Sequence, residues 1–470
     1  MMRPRLRVLA SSKILIAAVA LLTAGVGAAA GCSGANSGST SNAGSGGSSG
    51  GSGGSGGTTK STGGSTGAGD IGGGLGGGIG GGNVQCDSGT LDDDVDGDGY
   101  SENQGDCNDC DKNANPGAAE VIAEKDPMDP NPDPPPASDE DCDNKKDLDD
   151  PDLQPCDGSL ALDSADPMDA AKAMGLCDVD DNGNPKFINK VSWVLADGLP
   201  PGPSVDMIKY HLGHGLLDHF GLNDVPREGK RMLALSSGTA RNKNEAGFVA
   251  RNYDKGYSSN PPLTFNGESP ACPGVIVPKT SVQDAAGLEL ELQVPTNAIS
   301  LEFSFNFRSY EFPQFICTQF NDFFWANLVQ GNTNKNISFD QQGNAISVNA
   351  AFLSQCDCPP AGPGMCTVPP FPAPNQPQRT VDCVGTDLLD GSDFDGNTNP
   401  KPTYNGWTNA GTGWLKTTTP VTPGQVLKLR FVVFDSGVVN GVKDHNVDST
   451  VTIDRFKWHA IPAKLETLPE

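Results

Sequence analysis

Between residues 86 and 185 the chain carries thirty Asp or Glu against five Lys. No other feature limits the fold as much. Like charges at that density stay extended by self-repulsion unless they gather cations. The formal net charge of the 470-residue chain is -26, so the charge is local and the remainder is nearly neutral. A nucleic-acid partner needs a basic footprint, which the chain lacks, so none is expected.

Within this segment, DVDGDGYSENQGDCNDCD (94–111) alternates Asp94, Asp96 and Asp98, with Gly97 and Gly99 beside them. D-x-D-x-D-G opens a calcium loop, whose cation takes six to eight oxygens. Tyr100 would then offer its backbone carbonyl, and Glu102 would sit near the ninth position. Gly105 stands where a helix–loop–helix site has a bidentate Glu, and Asp106 follows one residue later. No amphipathic helix is expected on either side. The competing reading is an acidic spacer that water solvates.

The order D-x-D-G-D-G-Y, G-D-C-N-D and N-P-G-A-A-E (Asn115 to Glu120) resembles the metal-binding repeat of bacterial surface proteins of the MopE type. The resemblance covers about 94–120. It implies that Asp106, Asn108, Asp109 and Asp111 share one acidic cage, with calcium as the cofactor. The family's usual continuation is degraded here to EDCDNKKDLDD (Glu140 to Asp150), and the Pro-rich DPMDPNPDPPP interrupts the approach to it. A second site is therefore not expected there. Asp178, Asp180 and Asn182 form another D-x-D-x-N-G candidate. Cys107 and Cys110 are spaced C-x-x-C, but carboxylate-rich surroundings favour hard cations over zinc.

The N-terminus reads as a secretory signal. Arg3, Arg5, Arg7 and Lys13 precede an apolar run from Ile14 to about Val26, followed by small residues. Cys32 directly after Ala-Ala-Gly resembles a bacterial lipobox, which implies cleavage before Cys32 and lipidation of its sulfur. Any membrane attachment is then by lipid, since no other run approaches the ~18 apolar residues of a span. Ser33 to Asn83 is almost wholly Gly, Ser, Thr and Ala, a flexible tether reaching roughly 40 Å. Ser33 lacks the Asp that signals inner-membrane retention in many Gram-negative bacteria, which favours the outer membrane or cell surface. The twelve other cysteines split evenly about residue 180. In an exported chain that split suggests disulfides formed within each half, with the pairing left open.

From about Val191 the texture is β. Leu288, Leu290, Leu292 and Val294 alternate with polar residues, as do Ile299, Leu301, Phe303, Phe305 and Phe307, and Leu427, Leu429, Phe431 and Val433. These read as half-buried strands. In STVTIDRFKW the apolar parity switches after Ile453, which predicts a bulge near Asp454. A mainly β fold follows: a jelly-roll-like β-sandwich, preceded by the irregular acidic region and the disordered linker. Short helices are expected over Asp169 to Cys177 and Ser204 to Phe220.

SYEFPQFICTQFNDFFWANL (Ser309 to Leu328) resembles the hallmark of the choice-of-anchor L domain. LALSSGTA (Leu233 to Ala240), GWLKTTTPV (Gly413 to Val421) and the terminal VVFDSG…DSTVTIDRFKW fall in that family's order, over about 225–460. Two hallmark Glu are Tyr310 and Gln314 here, while Glu311 is kept. The resemblance implies fold and bacterial cell-surface location rather than chemistry. The expected domains are a signal peptide (1–31), a tether (32–85), a metal-binding region (86–190) and the sandwich (191–470).

Glu311, Asn321 and Asp322 flank an aromatic hairpin, and Asp435, Asp444 and Asp448 cluster late. They could form a calcium or glycan site between loops, although turns and caps use the same residue types. On a helix, His211, His214 and Asp218 would share one face, as metal ligands need, but YHLGHGLLDHF holds two glycines and reads as a poor helix, so an ordinary packed or surface segment is the competing reading. There is no G-x-S-x-G elbow and no H-E-x-x-H, so an enzyme is not expected. The expected function is a lipid-anchored, calcium-binding surface protein that mediates binding or adhesion to a surface glycan or protein. The alternatives are a secreted hydrolase acting on glycans through loop carboxylates and a purely structural envelope protein.

Overall fold

The alternating segments pair into two antiparallel sheets in a computed structural model of the chain. The structure describes residues 90–121, 137–146, 149–180, 182–250, 253–280, 282–350, 352–358, 362–368, 379–395, 409–436, 438–439, 442–443 and 447–470. The expected signal segment, Cys32, the tether, Cys86 and Asp444 lie outside these residues. All described residues fall in one compact unit, Gly73–Glu470.

The first strands are β1 Ile188–Val194, β2 His214–Leu217, β3 Met232–Ser236, β4 Ser258–Ser259, β5 Val282–Gln293 and β6 Ser300–Ser309. Next come β7 Phe323–Gln330, β8 Thr333–Asn336, β9 Ile346–Ser347, β10 Gly364–Val368 and β11 Arg379–Cys383. The last are β12 Ala410–Pro420, β13 Val426–Ser436, β14 Val438–Val439, β15 Val442–Lys443, β16 Ser449–His459 and β17 Glu466–Pro469. One sheet runs β1-β5-β13-β7-β8, with β4 on β5 and β9 on β7; the other runs β17-β12-β6-β16-β3-β2. The long strands β5, β6 and β7 alternate between the sheets, as do β12, β13 and β16.

The inner faces meet as a sandwich. Leu288, Leu290, Leu292, Leu429 and Phe431 of one sheet share a buried cluster with Phe303, Phe305, Phe307, Leu415 and Ile453 of the other. Phe303 packs edge-on against Phe431 at 4.8 Å between ring centres. Each such side chain contributes about 1.5–3 kcal/mol on burial, so this core is the main source of stability. β6 is buried along its whole length, because its other face is covered too. There Arg308 pairs with Asp224, both fully buried, and Trp414 Nε1 donates to Asp224 Oδ1 at 2.6 Å. The expected bulge is present: β16 slips register against β6 between Asp454 and Lys457, with Arg455 at φ 54°.

Two helical expectations need adjustment. The first helix, α1, is Pro167–Ala173, capped by Asp166, whose side chain accepts Met168 N. It starts two residues early because Asp-Pro is a better opening than the later Asp. The second, α2, is only Met207–His211. Leu212 and Gly213 form a turn, and His214–Leu217 pairs with β3 as an edge strand. Between them, Gly213 leaves no room for a side chain: a Cβ there would lie 2.6 Å from Lys255 Nζ. The expected hairpin after β6 is also replaced, since β6 and β7 lie in different sheets and Phe312, Ile316 and Cys317 pack in the connection.

The acidic region is tied to the sandwich. Ala170, Ala171, Ala173 and Met174 of the α1 segment enter the main core. Asn297 holds Ala119 from both sides, accepting its N–H at 3.0 Å and donating to its carbonyl at 2.8 Å. Cys107–Cys142 and Cys156–Cys177 staple the acidic half; Cys272–Cys317, Cys356–Cys383 and Cys358–Cys366 staple the other. Each described pair stays within its own half, as the even split suggested.

Candidate metal centre

Asp94 organises the loop that follows it. Its Oδ1 accepts N–H groups from Gly97 at 2.7 Å and Asp98 at 3.1 Å, and its Oδ2 accepts from Gly99 at 3.0 Å. Asp96 Oδ1 accepts Asp98 N at 3.1 Å, and Asp98 Oδ1 accepts Tyr100 N at 2.8 Å. Gly99 makes the turn at φ 102°, where a side chain would be strained. Asp109 reaches back to accept Val95 N at 2.9 Å. The curl brings together oxygens of Asp94, Asp96 and Asp109, and of Asp96, Asp98 and Asp106, each trio within 4.8 Å. Two oxygens on one calcium at 2.3–2.6 Å can lie at most about 5 Å apart, so both trios have calcium-ligand spacing.

The electrostatics are unfavourable without a cation. Burial, with Asp98 beside it, pushes the Asp96 carboxyl up to about 6. Burial also lifts Asp106 to about 6 against the hydrogen bond from Asn108 N, and it raises Asp98. Among the described residues, Asp96 Oδ2, Asp106 Oδ2 and Asn108 Oδ1 are buried and accept no hydrogen bond. A buried acceptor left unmade costs about 1–3 kcal/mol, more when charged. An all-oxygen donor set suits a hard cation such as calcium.

The remaining predicted ligands divide. Glu102 lies in a short 3-10 turn, Glu102–Gln104, outside both trios. Asp111 is occupied by its own turn, accepting from Asn113 N at 3.2 Å and Nδ2 at 2.9 Å. Asp178 and Asp180 belong to none of the carboxylate trios among the described residues. Asp180 is exposed and closes its own turn, accepting Asn182 N at 2.9 Å and Asn184 N at 2.8 Å. Asp178 instead lies beside Asp152, and burial followed by that charge raises it to about 7. Zinc at C-x-x-C has no thiolates to bind, because Cys107 and Cys110 are both in disulfides.

A second cluster lies where the degraded repeat argued against one. Glu120, Asp141 and Asp150, all buried, bring oxygens within 4.8 Å, as do Asp139, Asp141 and Asp143. Asp152, pushed to about 6 chiefly by burial, stands beside Asp150 and Asp141. Lys186 Nζ donates to Asp141 Oδ2 at 2.7 Å and offsets part of the charge. Asp150 Oδ2 and Asp139 Oδ1 are buried and accept no hydrogen bond among the described residues. The signal was present in sequence: Asp139, Asp141 and Asp143 alternate just as Asp94, Asp96 and Asp98 do. The Cys107–Cys142 disulfide joins the two stretches.

The carboxylates predicted at the sandwich loops behave differently. Glu311, Asn321, Asp322 and Asp435 are fully buried and Asp448 nearly so, at strand ends rather than on an open surface. Glu311 Oε2 accepts Asp322 N at 2.7 Å, and Ser449 Oγ donates to Asp322 Oδ2 at 2.7 Å. Asn321 N donates to Ser436 Oγ at 2.7 Å, and Tyr253 N to Asp448 Oδ2 at 3.2 Å. Lys255, also buried, is the cation beside Asp284, Asp435 and Asp448; burial pulls it down to about 8 and those charges resist. The convergent carboxylate trios among the described residues lie in the acidic region, not here. His211 ends α2 while His214 starts β2, stacked on Trp193 at 3.9 Å. Asp218 contacts His219 and Arg231 instead.

Fold and site together define a disulfide-stapled β-sandwich that carries a carboxylate-rich segment with two convergent clusters. Residues 230–456 match the family model described as Choice-of-anchor L domain, which points to a bacterial cell-surface protein. No curated protein and no solved structure matches the chain. Among the described residues, no helix is long and apolar enough to cross a membrane.

Proposed function

We propose that this is an exported, lipid-anchored surface protein that binds calcium in its acidic segment and presents the sandwich for surface binding or adhesion. The observation that carries the calcium reading is the pair of carboxylate clusters with buried oxygens that accept no hydrogen bond. Asp94, Asp96, Asp98, Asp106 and Asp109 would hold one group of cations, and Glu120, Asp139, Asp141, Asp143 and Asp150 the other. Bound calcium would supply positive charge that no side chain of the first cluster provides. The resemblance of 94–120 to the MopE-type repeat supports the same reading.

The chain's own residues couple these sites to the sandwich. Asn115 Nδ2 donates to Asp98 Oδ2 at 2.7 Å while its Oδ1 accepts Thr296 Oγ1 at 2.7 Å. At the second cluster, Lys186 binds Asp141 and the next residue, Phe187, accepts Gln293 N at 2.9 Å. An ion in either cluster would therefore stiffen the acidic segment against the sandwich. The signal sequence, Cys32 and the paired cysteines support export and anchoring; the family match supports the surface.

Thermal unfolding of the full chain tests the calcium reading. With extracellular-type affinity of about 10⁻⁴–10⁻³ M, 10 mM calcium should stabilise by about 1.4–2.7 kcal/mol per site over a chelated sample. An unchanged Tm would contradict it. Cys32→Ser should move the protein from the detergent-extracted membrane fraction to the soluble exported fraction; retention in the membrane would contradict the anchor.

A further inference from the structure

A cleft of about 650 Å³ lies on the outer side of the first sheet, between the loop around Thr264–Ile276 and the β7–β8 hairpin, with Trp325 in its lining. We propose that this cleft binds an uncharged oligosaccharide. The proposal rests on the surface-binding reading above and gives it a site and a ligand class.

The walls are fixed before any ligand arrives. Cys272–Cys317 ties the loop to the β6–β7 connection. Gly267 holds φ 69°, with Val277 O where a side chain would have to go, and Val277 N donates to Gly267 O at 2.8 Å. Asn344 Oδ1 accepts both Ser269 Oγ at 2.7 Å and Ala271 N at 2.8 Å, pinning the loop to the turn after β8. Underneath, Phe265 packs edge-on against Phe323, Trp325 and Phe434 at 5.0–5.6 Å between ring centres. Prior ordering of this kind spares the ligand the cost of immobilising the loop.

The lining chemistry selects the ligand class. Asn266 Oδ1 accepts Glu268 N at 3.2 Å and Asn334 Oδ1 accepts Asn327 Nδ2 at 2.9 Å, so the oxygens are engaged and both amide NH₂ groups are left as donors at exposed positions. The lining also holds one carboxylate, Glu268, and one ammonium, Lys335. One acid and one base discriminate against a strongly charged ligand of either sign. The exposed Ile276 and half-buried Val275 supply apolar area, while Trp325 in the lining is largely buried. A pyranose ring presents the matching pattern: a C–H face for apolar contact and a rim of hydroxyls, each both donor and acceptor. The volume lies within the usual range of about 300–1,000 Å³ for small-ligand sites.

The test is binding of the full chain, in calcium, to an array of neutral and acidic oligosaccharides, beside Asn266→Ala/Asn334→Ala. Both positions are exposed, so the double variant should fold; an unchanged Tm verifies this, and Lys335→Ala serves as a second single-site variant. Lys190→Ala, on β1 at the far edge of the sheet, is the control. We expect binding to at least one neutral glycan, weakened at least tenfold by the double variant, severalfold by Lys335→Ala, and unchanged by the control. Neutral-glycan binding that survives both cleft variants overturns the proposal, as does binding only to acidic glycans. Absence of glycan binding also overturns it. In that case an extended-peptide array, read at the open β8 edge, and adhesion of the chain to whole cells show whether the broader surface-binding reading survives. Loss of cell adhesion as well would remove that reading too.

Discussion

The molecule gathers carboxylates in two places, and the chain surrounds them differently. At the sandwich end, Asp322 N donates to Glu311 and Ser449 Oγ to Asp322, and Lys255 is the cation beside Asp284, Asp435 and Asp448. In the acidic segment, Asp96, Asp106 and Asp150 keep buried oxygens that accept nothing among the described residues. Residue type is the same in both. What differs is the setting: the strand-end carboxylates lie among N–H groups, hydroxyls and Lys255, whereas those of the Asp-rich loop lie among other carboxylates. The first arrangement has Lys255 of the chain beside it, whereas the charges around Asp96 and Asp106 are other carboxylates.

The largest effect that would break this contrast is at the sandwich end. Asp322→Ala removes a buried acceptor and strands Ser449 Oγ, and should cost about 3 kcal/mol. Denaturant unfolding should show the same loss with and without calcium. A loss that calcium repairs would mean that this end is also a cation site.

A smaller effect belongs to the acidic segment. Asp96→Asn and Asp141→Asn should each remove one cluster's share of the calcium increment, about 1.4–2.7 kcal/mol at 10 mM calcium; in chelator Asp96→Asn should have little effect, while Asp141→Asn also loses its ion pair with Lys186. Differential scanning calorimetry in both conditions reads this directly.

The pH dependence sharpens the same point. In the metal-free chain, Asp96, Asp106 and Asp152 at about 6 and Asp178 at about 7 hold protons that the unfolded chain would release near 4. Their contribution is therefore present below pH ~4 and lost as pH rises through about 6–7. Calcium keeps ligand carboxylates ionised, so the loaded chain should instead lose stability as pH falls. Parallel slopes of Tm against pH, with and without calcium, would refute this.

The smallest effect concerns Asp180. Because it caps its own exposed turn, Asp180→Ala should lower the Tm only slightly and leave the calcium stoichiometry unchanged. A lost site would restore D-x-D-x-N-G as a calcium loop.

These contrasts also show what the sequence could reveal. Alternation at Leu288–Leu292 and Phe303–Phe307 reports one buried face, and that was legible because the period of a strand is two. The parity switch in STVTIDRFKW located the bulge at Arg455. Alternation could not reveal that β6 is covered on its second face, since Asn306 and Arg308 look like surface residues until Asp224 and Trp414 meet them. The glycines of YHLGHGLL already spoke against a helix through both His211 and His214, and α2 ends before Gly213, which sits against Lys255. The first carboxylate cluster is local in sequence and could be read. The second joins Glu120 to Asp141 and Asp150 from a stretch stapled on by Cys107–Cys142, and disulfide pairing is not written in spacing.

Calorimetric titration of calcium into the metal-free full chain at neutral pH tests the central claim most directly. The account predicts saturable binding near 10⁻⁴–10⁻³ M, with stoichiometry reduced separately by Asp96→Asn and Asp141→Asn. No binding up to 10 mM calcium, or binding indifferent to both substitutions, would contradict it.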